Sequence, residues 1–207
     1  MNRGWRLFVA APLPGPALAT LEERLAGLRD RRPEAHWVPP ERLHLTLRFL
    51  GQQPPERVPD IRAALTRLAA TRDPFDVRLS GSGAFGRAAA RPRVCWLGLD
   101  PEGTAQVVSL ARAVEAAVAP LALVDPGRPA GAVRVHLTVA RRAPADLPQW
   151  LETVVDDGPV IGWRVDRLRL YRSHLDAAAP RYVSLWTGRL GDRVAAGSEA
   201  IAEGLPG

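Results

Sequence analysis

Not one lysine occurs in the sequence: all 28 cationic side chains are arginine. That absence removes every mechanism built on an ε-amino group. A Schiff base to pyridoxal phosphate, the lysine of a phosphate-binding P-loop and the lysyl-adenylate of an ATP-dependent ligase are all excluded. Cysteine is nearly absent too, and the single Cys95 leaves no disulfide to form. The expected compartment is therefore the cytoplasm. No apolar stretch reaches the roughly 18 residues that a membrane-crossing helix needs. Near the start, "WRLFVAA" is interrupted by Arg6 and followed by Pro12 and Pro14, so it reads as a first strand and not as a secretion signal.

What is present is ordinary for a globular protein. Of the 207 residues 46% are hydrophobic, enough to bury one sizeable core. The 28 cations outnumber the 22 carboxylates, for a net charge of +6. Because arginine offers a planar fork to phosphate oxygens, this balance tilts towards a phosphorylated or nucleic-acid partner.

Strand-type and helix-type patterns alternate along the chain. Residues 5–11, 42–50, 75–85, 93–100, 132–141, 163–173 and 180–190 read as strands, the last two as a hairpin. Helical spacing marks 17–30, 55–70, 103–120 and 146–157, the second despite Pro59 in its first turns. No proline-rich linker divides the chain, and the Gly/Ser-bearing stretch 81–92 reads equally as a boundary or an active-site loop. The expected fold is α+β, with two similar lobes related by an approximate two-fold axis. Residues 1–190 form one bilobal domain in this reading, and 191–207 a fraying tail. Which strands cross between the lobes stays open.

Two phrases carry the chemistry. "RLHLTLRFLG" (42–51) and "RVHLTVARRA" (134–143) each place a histidine two residues before a threonine, and use two of only four histidines to do so. Strand alternation turns Leu43, Leu45 and Leu47 to one side and His44, Thr46 and Arg48 to the other. In the second phrase Val135, Leu137 and Val139 separate in the same way from His136 and Thr138. If the two faces meet across a cleft, two imidazoles can flank one phosphorus, one as base and one as acid for in-line displacement. The threonine hydroxyls and a guanidinium would hold the non-bridging oxygens. No metal has an evident home: there is no HExxH, and no carboxylate adjoins either phrase. His36 and His174 lack a partner phrase and read as structural or exposed, and Cys95 as a core residue.

The paired HxTx phrases, ninety-two residues apart, resemble those of the 2H phosphoesterase superfamily. The similarity is to its bacterial and archaeal RNA 2',3'-cyclic phosphodiesterases, also called 2'-5' RNA ligases. It extends to "RLFVAAPLP", "HWVPPERLHLTLRFLG", "GAFGRAAARPRVCWLGL", "RVHLTVARR", "VDRLRLYRSHL" and "RYVSLWTGRL". The resemblance implies a bilobal fold with an interlobe active site and no cofactor. The implied reaction opens a terminal RNA 2',3'-cyclic phosphate to a 2'-phosphate, with reversible ATP-independent 2'-5' joining in some members. His44 would be the proton donor, His136 the proton acceptor, Thr46 and Thr138 phosphate holders and Arg141 a further phosphate ligand. Arg48 and Phe49 are added as substrate contacts, with a wall charge and a core aromatic as their plainer readings. Arg91 and Arg93 are candidates for the RNA backbone. Val135 stands where the family often has proline, a difference in backbone rigidity. The implied partner is RNA with a cyclic-phosphate end, tRNA-like fragments included, met by a monomer away from membranes. Two alternatives remain: a phosphodiesterase for a small cyclic phosphate derived from a nucleotide or ADP-ribose, and a non-catalytic RNA-binding protein.

Overall fold

The computed structural model describes residues 4–86, 94–123, 134–174 and 181–193. Arg91, Arg93 and nearly all of the expected tail lie outside the described residues. In chain order the main elements are β1 (Trp5–Pro12), α1 (Gly15–Arg31), β2 (His36–Trp37), β3 (His44–Gln53), α2 (Val58–Ala70), β4 (Phe75–Phe85), β5 (Val94–Leu99), α3 (Pro101–Val118), β6 (Leu137–Arg141), α4 (Leu147–Asp156), β7 (Gly162–Val165), β8 (Arg167–His174) and β9 (Arg181–Arg189).

Proline punctuates this order. Every one of these α-helices has a proline at its first or second position: Pro16, Pro59, Pro101 and Pro148. There the missing N–H costs no hydrogen bond, and the fixed φ already suits a helix. Pro59 therefore marks the start of α2, after a short 3-10 turn at Pro55–Arg57. The apolar stripes face inward as their spacing requires, with Leu21, Leu25 and Leu28 of α1 and Ile61, Leu65 and Leu68 of α2 all buried.

The strands form one nine-stranded sheet in the order β7-β4-β5-β6-β3-β1-β8-β9, with β2 attached to β6. Every pairing is antiparallel. Two groups of four are visible, β7-β4-β5-β6 and β3-β1-β8-β9, and each draws strands from both halves of the chain. The stretch 163–173, expected as one strand, is broken at Asp166. Its first part, β7, pairs with β4 at one edge of the sheet, while β8 pairs with β1 near the other. A single residue thus connects strands that stand at the two ends of the order, so the sheet has to curl until those ends approach. The expected hairpin is β8–β9.

The two groups join through β3 and β6, where Leu45 pairs with Leu137. Both leucines are buried in the main apolar core, 1% and 0% exposed, together with Leu47, Leu97 and Val139. A smaller cluster of Phe8, Ala10 and Tyr171, with Tyr182 against it, occupies the opposite face of β1 and β8. The seam is therefore a packing joint as well as a hydrogen-bonded one. Leu45→Ala should lower the unfolding free energy by about 2–5 kcal/mol in a urea titration. Native stability in that variant would contradict a close-packed seam.

Candidate active site

The pair Leu45–Leu137 fixes everything beside it. One step either way along that antiparallel register sets His44 across from Thr138 and Thr46 across from His136. With both leucines turned into the core, alternation brings all four polar side chains onto the opposite face. Each histidine thereby faces the threonine of the other phrase. His136 itself stands one residue before the start of β6.

Beyond each threonine the alternation breaks at the same place. Ala10 pairs with Thr46 but Val9 with Arg48, which skips Leu47. Trp96 pairs with Thr138 but Cys95 with Ala140, which skips Val139. These are bulges, and a bulge reverses which side chains face which way. Leu47 and Arg48 are consequently both buried and Phe49 emerges; Val139 and Ala140 are both buried and Arg141 emerges. The expectation for Arg48 is thereby corrected. It is 7% exposed, turns away from His44, and its Nη2 lies 3.5 Å from Glu115 Oε1 on α3. Phe49, 47% exposed, takes the place beside the histidines that plain alternation would have denied it. Arg141 gains its position by the same device, and His44, Phe49, Thr138 and Arg141 line one cavity of about 390 Å³.

The surroundings of the two imidazoles match in kind. His44 Nδ1 is 2.7 Å from the Arg42 carbonyl, and His136 Nδ1 is 2.6 Å from the Arg134 carbonyl. A carbonyl only accepts, so in both rings Nδ1 carries hydrogen and Nε2 is left to exchange a proton. The Arg42 guanidinium lies 5.3 Å over the Tyr182 ring, and that of Arg134 lies 5.6 Å over Phe85. Those same rings meet the histidines edge-on: Tyr182 with His44 at 5.5 Å and 80°, Phe85 with His136 at 4.9 Å and 88°. Phe8 completes the first setting at 5.1 Å from His44, and Trp96 the second at 6.5 Å from His136. Trp96 can lie there because its cross-strand partner is Gly83, where any Cβ would collide with the indole.

Desolvation sets the proton affinities. Burial pulls the His44 pKa down from 6.5 to about 4, and the positive charges of His136, Arg141 and Arg42 add to it. The bond to the Arg42 carbonyl opposes the shift. His136 is also lowered, first by burial and then by Arg141, against the bond to Arg134. Arg141 thus acts on both rings. The empty cleft disfavours cations on either histidine, and an arriving anion would reverse that.

Arg42 and Arg134, Phe8, Tyr171, Tyr182, Phe85 and Trp96 were not among the sequence candidates. The arginines had a signal, since both phrases open with Arg-x-His. The aromatics are supplied by distant strands and had none. His36 is exposed and His174 half-buried. Cys95 is fully buried, its thiol pushed up to about 11. Among the described residues no group of three His, Cys, Asp or Glu could hold a metal ion, and no helix is long and apolar enough to cross a membrane.

The comparisons with known proteins agree with this geometry. The family model described as "2'-5' RNA ligase superfamily" matches residues 15–177. A Thermus thermophilus protein named RNA 2',3'-cyclic phosphodiesterase is 37% identical over 186 residues, 87% of each chain. One of the same name from Thermotoga maritima is 29% identical over 87% of this chain and 93% of its own. Among solved structures, TT0787 of Thermus thermophilus superposes with a TM-score of 0.69 at 34% identity, over 90% of this chain and 98% of that one. Escherichia coli LigT, solved as a complex with 3'-AMP, superposes with a TM-score of 0.62 at 26% identity, over 91% and 99%. With most of its length covered by the family model and by relatives of one activity, the chain belongs to the 2'-5' RNA ligase superfamily of 2H phosphoesterases.

Proposed function

We propose that the protein hydrolyses the terminal 2',3'-cyclic phosphate of RNA to a 2'-phosphomonoester, using His44 and His136 as its acid and base. The observation that carries the reading is the register at the seam, which puts two Nδ1-anchored imidazoles on one face with a threonine opposite each. His136 Nε2 takes a proton from water as the water oxygen bonds to phosphorus. The P–O3' bond breaks, and the proton on His44 Nε2 passes to the departing O3'. Thr46 and Thr138 donate to the non-bridging oxygens, and Arg141, exposed in the cleft, balances their charge. Phe49 contacts the terminal nucleoside. Arg48 has no direct part; its ion pair with Glu115 secures β3 to α3.

The choice of His44 as acid rests on where the substrate has room. The departing O3' stays on the ribose, so the nucleoside lies on the acid's side of phosphorus. The ring-lined wall of Phe8, Tyr171 and Tyr182 surrounds His44. Replacement of water by a 5'-hydroxyl would run the same site as a 2'-5' ligase without ATP. The working unit is residues 1–190, a single bilobal domain acting as a cytoplasmic monomer; Leu190, buried at 3%, is the last core residue described. A small cyclic nucleotide is the second reading, favoured by a cavity of about 390 Å³, which is of single-nucleotide size.

Two outcomes test this. His44→Ala and His136→Ala should each lower kcat on a cyclic-phosphate oligonucleotide by about 10²–10⁴-fold; full activity in either would end the two-histidine assignment. The second is pH dependence. In the free enzyme His44 titrates at about 4 and His136 below its usual 6.5, so kcat/KM should peak on the acid side of neutrality. A bound phosphodiester anion favours both imidazolium forms and raises both pKa values, so the kcat optimum should lie at higher pH than that of kcat/KM. Coincident optima above pH 7 would contradict the desolvated site.

A further inference from the structure

The cavity does not stop at the histidines. It continues along β1 past Phe8 to Arg6 and Ser173. Arg6 pairs with Ser173 on β8, and Ser173 with Tyr182 on β9, so these three residues form one row across the sheet. The neighbouring row is Phe8 and Tyr171, which with Tyr182 borders His44. Arg6 stands two residues from Phe8 on the same strand face, about 6.8 Å farther along.

We propose that Arg6 and Ser173 form a second phosphate subsite, taking the internucleotide phosphate on the 5' side of the reacting nucleotide. This rests on the RNA reading above. In-line departure of O3' towards His44 puts the terminal ribose over the Phe8–Tyr171–Tyr182 wall. Arg141 stands on the β6 strand, beyond the seam. The chain that precedes the ribose must then leave in the opposite direction, along β1, and the first cationic group it meets is Arg6.

Arg6 is exposed, and among the described residues no carboxylate lies within ion-pairing distance of it. Its fork is therefore available for two phosphate oxygens, and the Ser173 hydroxyl can donate to one of them. The adjacent Arg172 is engaged elsewhere, with its guanidinium 4.0 Å over the Trp5 ring. The row thus selects for an anion one nucleotide upstream of the reaction. That would make a dinucleotide ending in a cyclic phosphate a better substrate than the cyclic mononucleotide.

The test compares kcat/KM on four substrates with one terminal base. They are the nucleoside 2',3'-cyclic phosphate, its 5'-phosphorylated form, the dinucleotide ending in the cyclic phosphate, and that dinucleotide with an uncharged methylphosphonate linkage. The native enzyme should prefer the charged dinucleotide over the methylphosphonate by about tenfold or more. Arg6→Ala should reduce that ratio to within about twofold of unity. Arg172→Ala, which removes an equal charge from the other face of the neighbouring strand, should leave the ratio as it is. A native enzyme indifferent to the linkage charge, or an unchanged ratio in Arg6→Ala, overturns the subsite. A 5'-phosphorylated mononucleotide preferred over the charged dinucleotide overturns its assignment to RNA. No turnover of any of the four by the native enzyme strikes the phosphodiesterase reading itself.

Discussion

One antiparallel contact, Leu45 against Leu137, holds the rest of the site together. It joins the two four-strand groups into a single sheet, and the two residues belong to the two HxTx phrases. Because antiparallel register runs in opposite directions from any pair, each histidine comes to face the other phrase's threonine. Neither side needs a loop to carry its catalytic groups. The seam leucines anchor them from behind, deep in the main core. A site built this way inherits the rigidity of the core, which suits chemistry that requires two proton carriers on opposite sides of one phosphorus atom.

The matching bulges give the site its asymmetry. They deliver the fifth residue after each histidine to the cleft, and those residues differ: an aromatic ring, Phe49, on one side and a guanidinium, Arg141, on the other. The fourth residue goes inward in both, as Arg48 with its Glu115 partner and as Ala140. The approximate two-fold therefore repeats the proton-transfer groups and varies what surrounds them. Burial lowers both imidazole pKa values, and the bound anion supplies the compensating charge. In physical terms, the cleft is tuned to the complex and not to the empty protein.

Much of this was legible in the residues. Period-two alternation around "RLHLTL" and "RVHLTV" separates the leucine face from the His-Thr face, and that face is where the structure puts them. The positions of the four helices follow from leucine spacing and from proline at their starts. Three things could not be read. A bulge leaves no mark in a single sequence, so Arg48 was assigned to the cleft and the route by which Arg141 reaches it was hidden. The break at Asp166 looks like one alternating run, because β7 and β8 share their period and only the sheet order separates them. The aromatic setting of the histidines is assembled from β1, β4, β5, β8 and β9, long-range contacts to which local pattern is blind.

The account stands or falls on which phosphorus–oxygen bond breaks. Incubation of an oligonucleotide ending in a 2',3'-cyclic phosphate with the native protein, followed by ³¹P NMR of the product, reads this directly. Departure of O3' on the His44 side predicts a 2'-phosphomonoester. A 3'-phosphomonoester, which requires the 2' oxygen to leave, would contradict it.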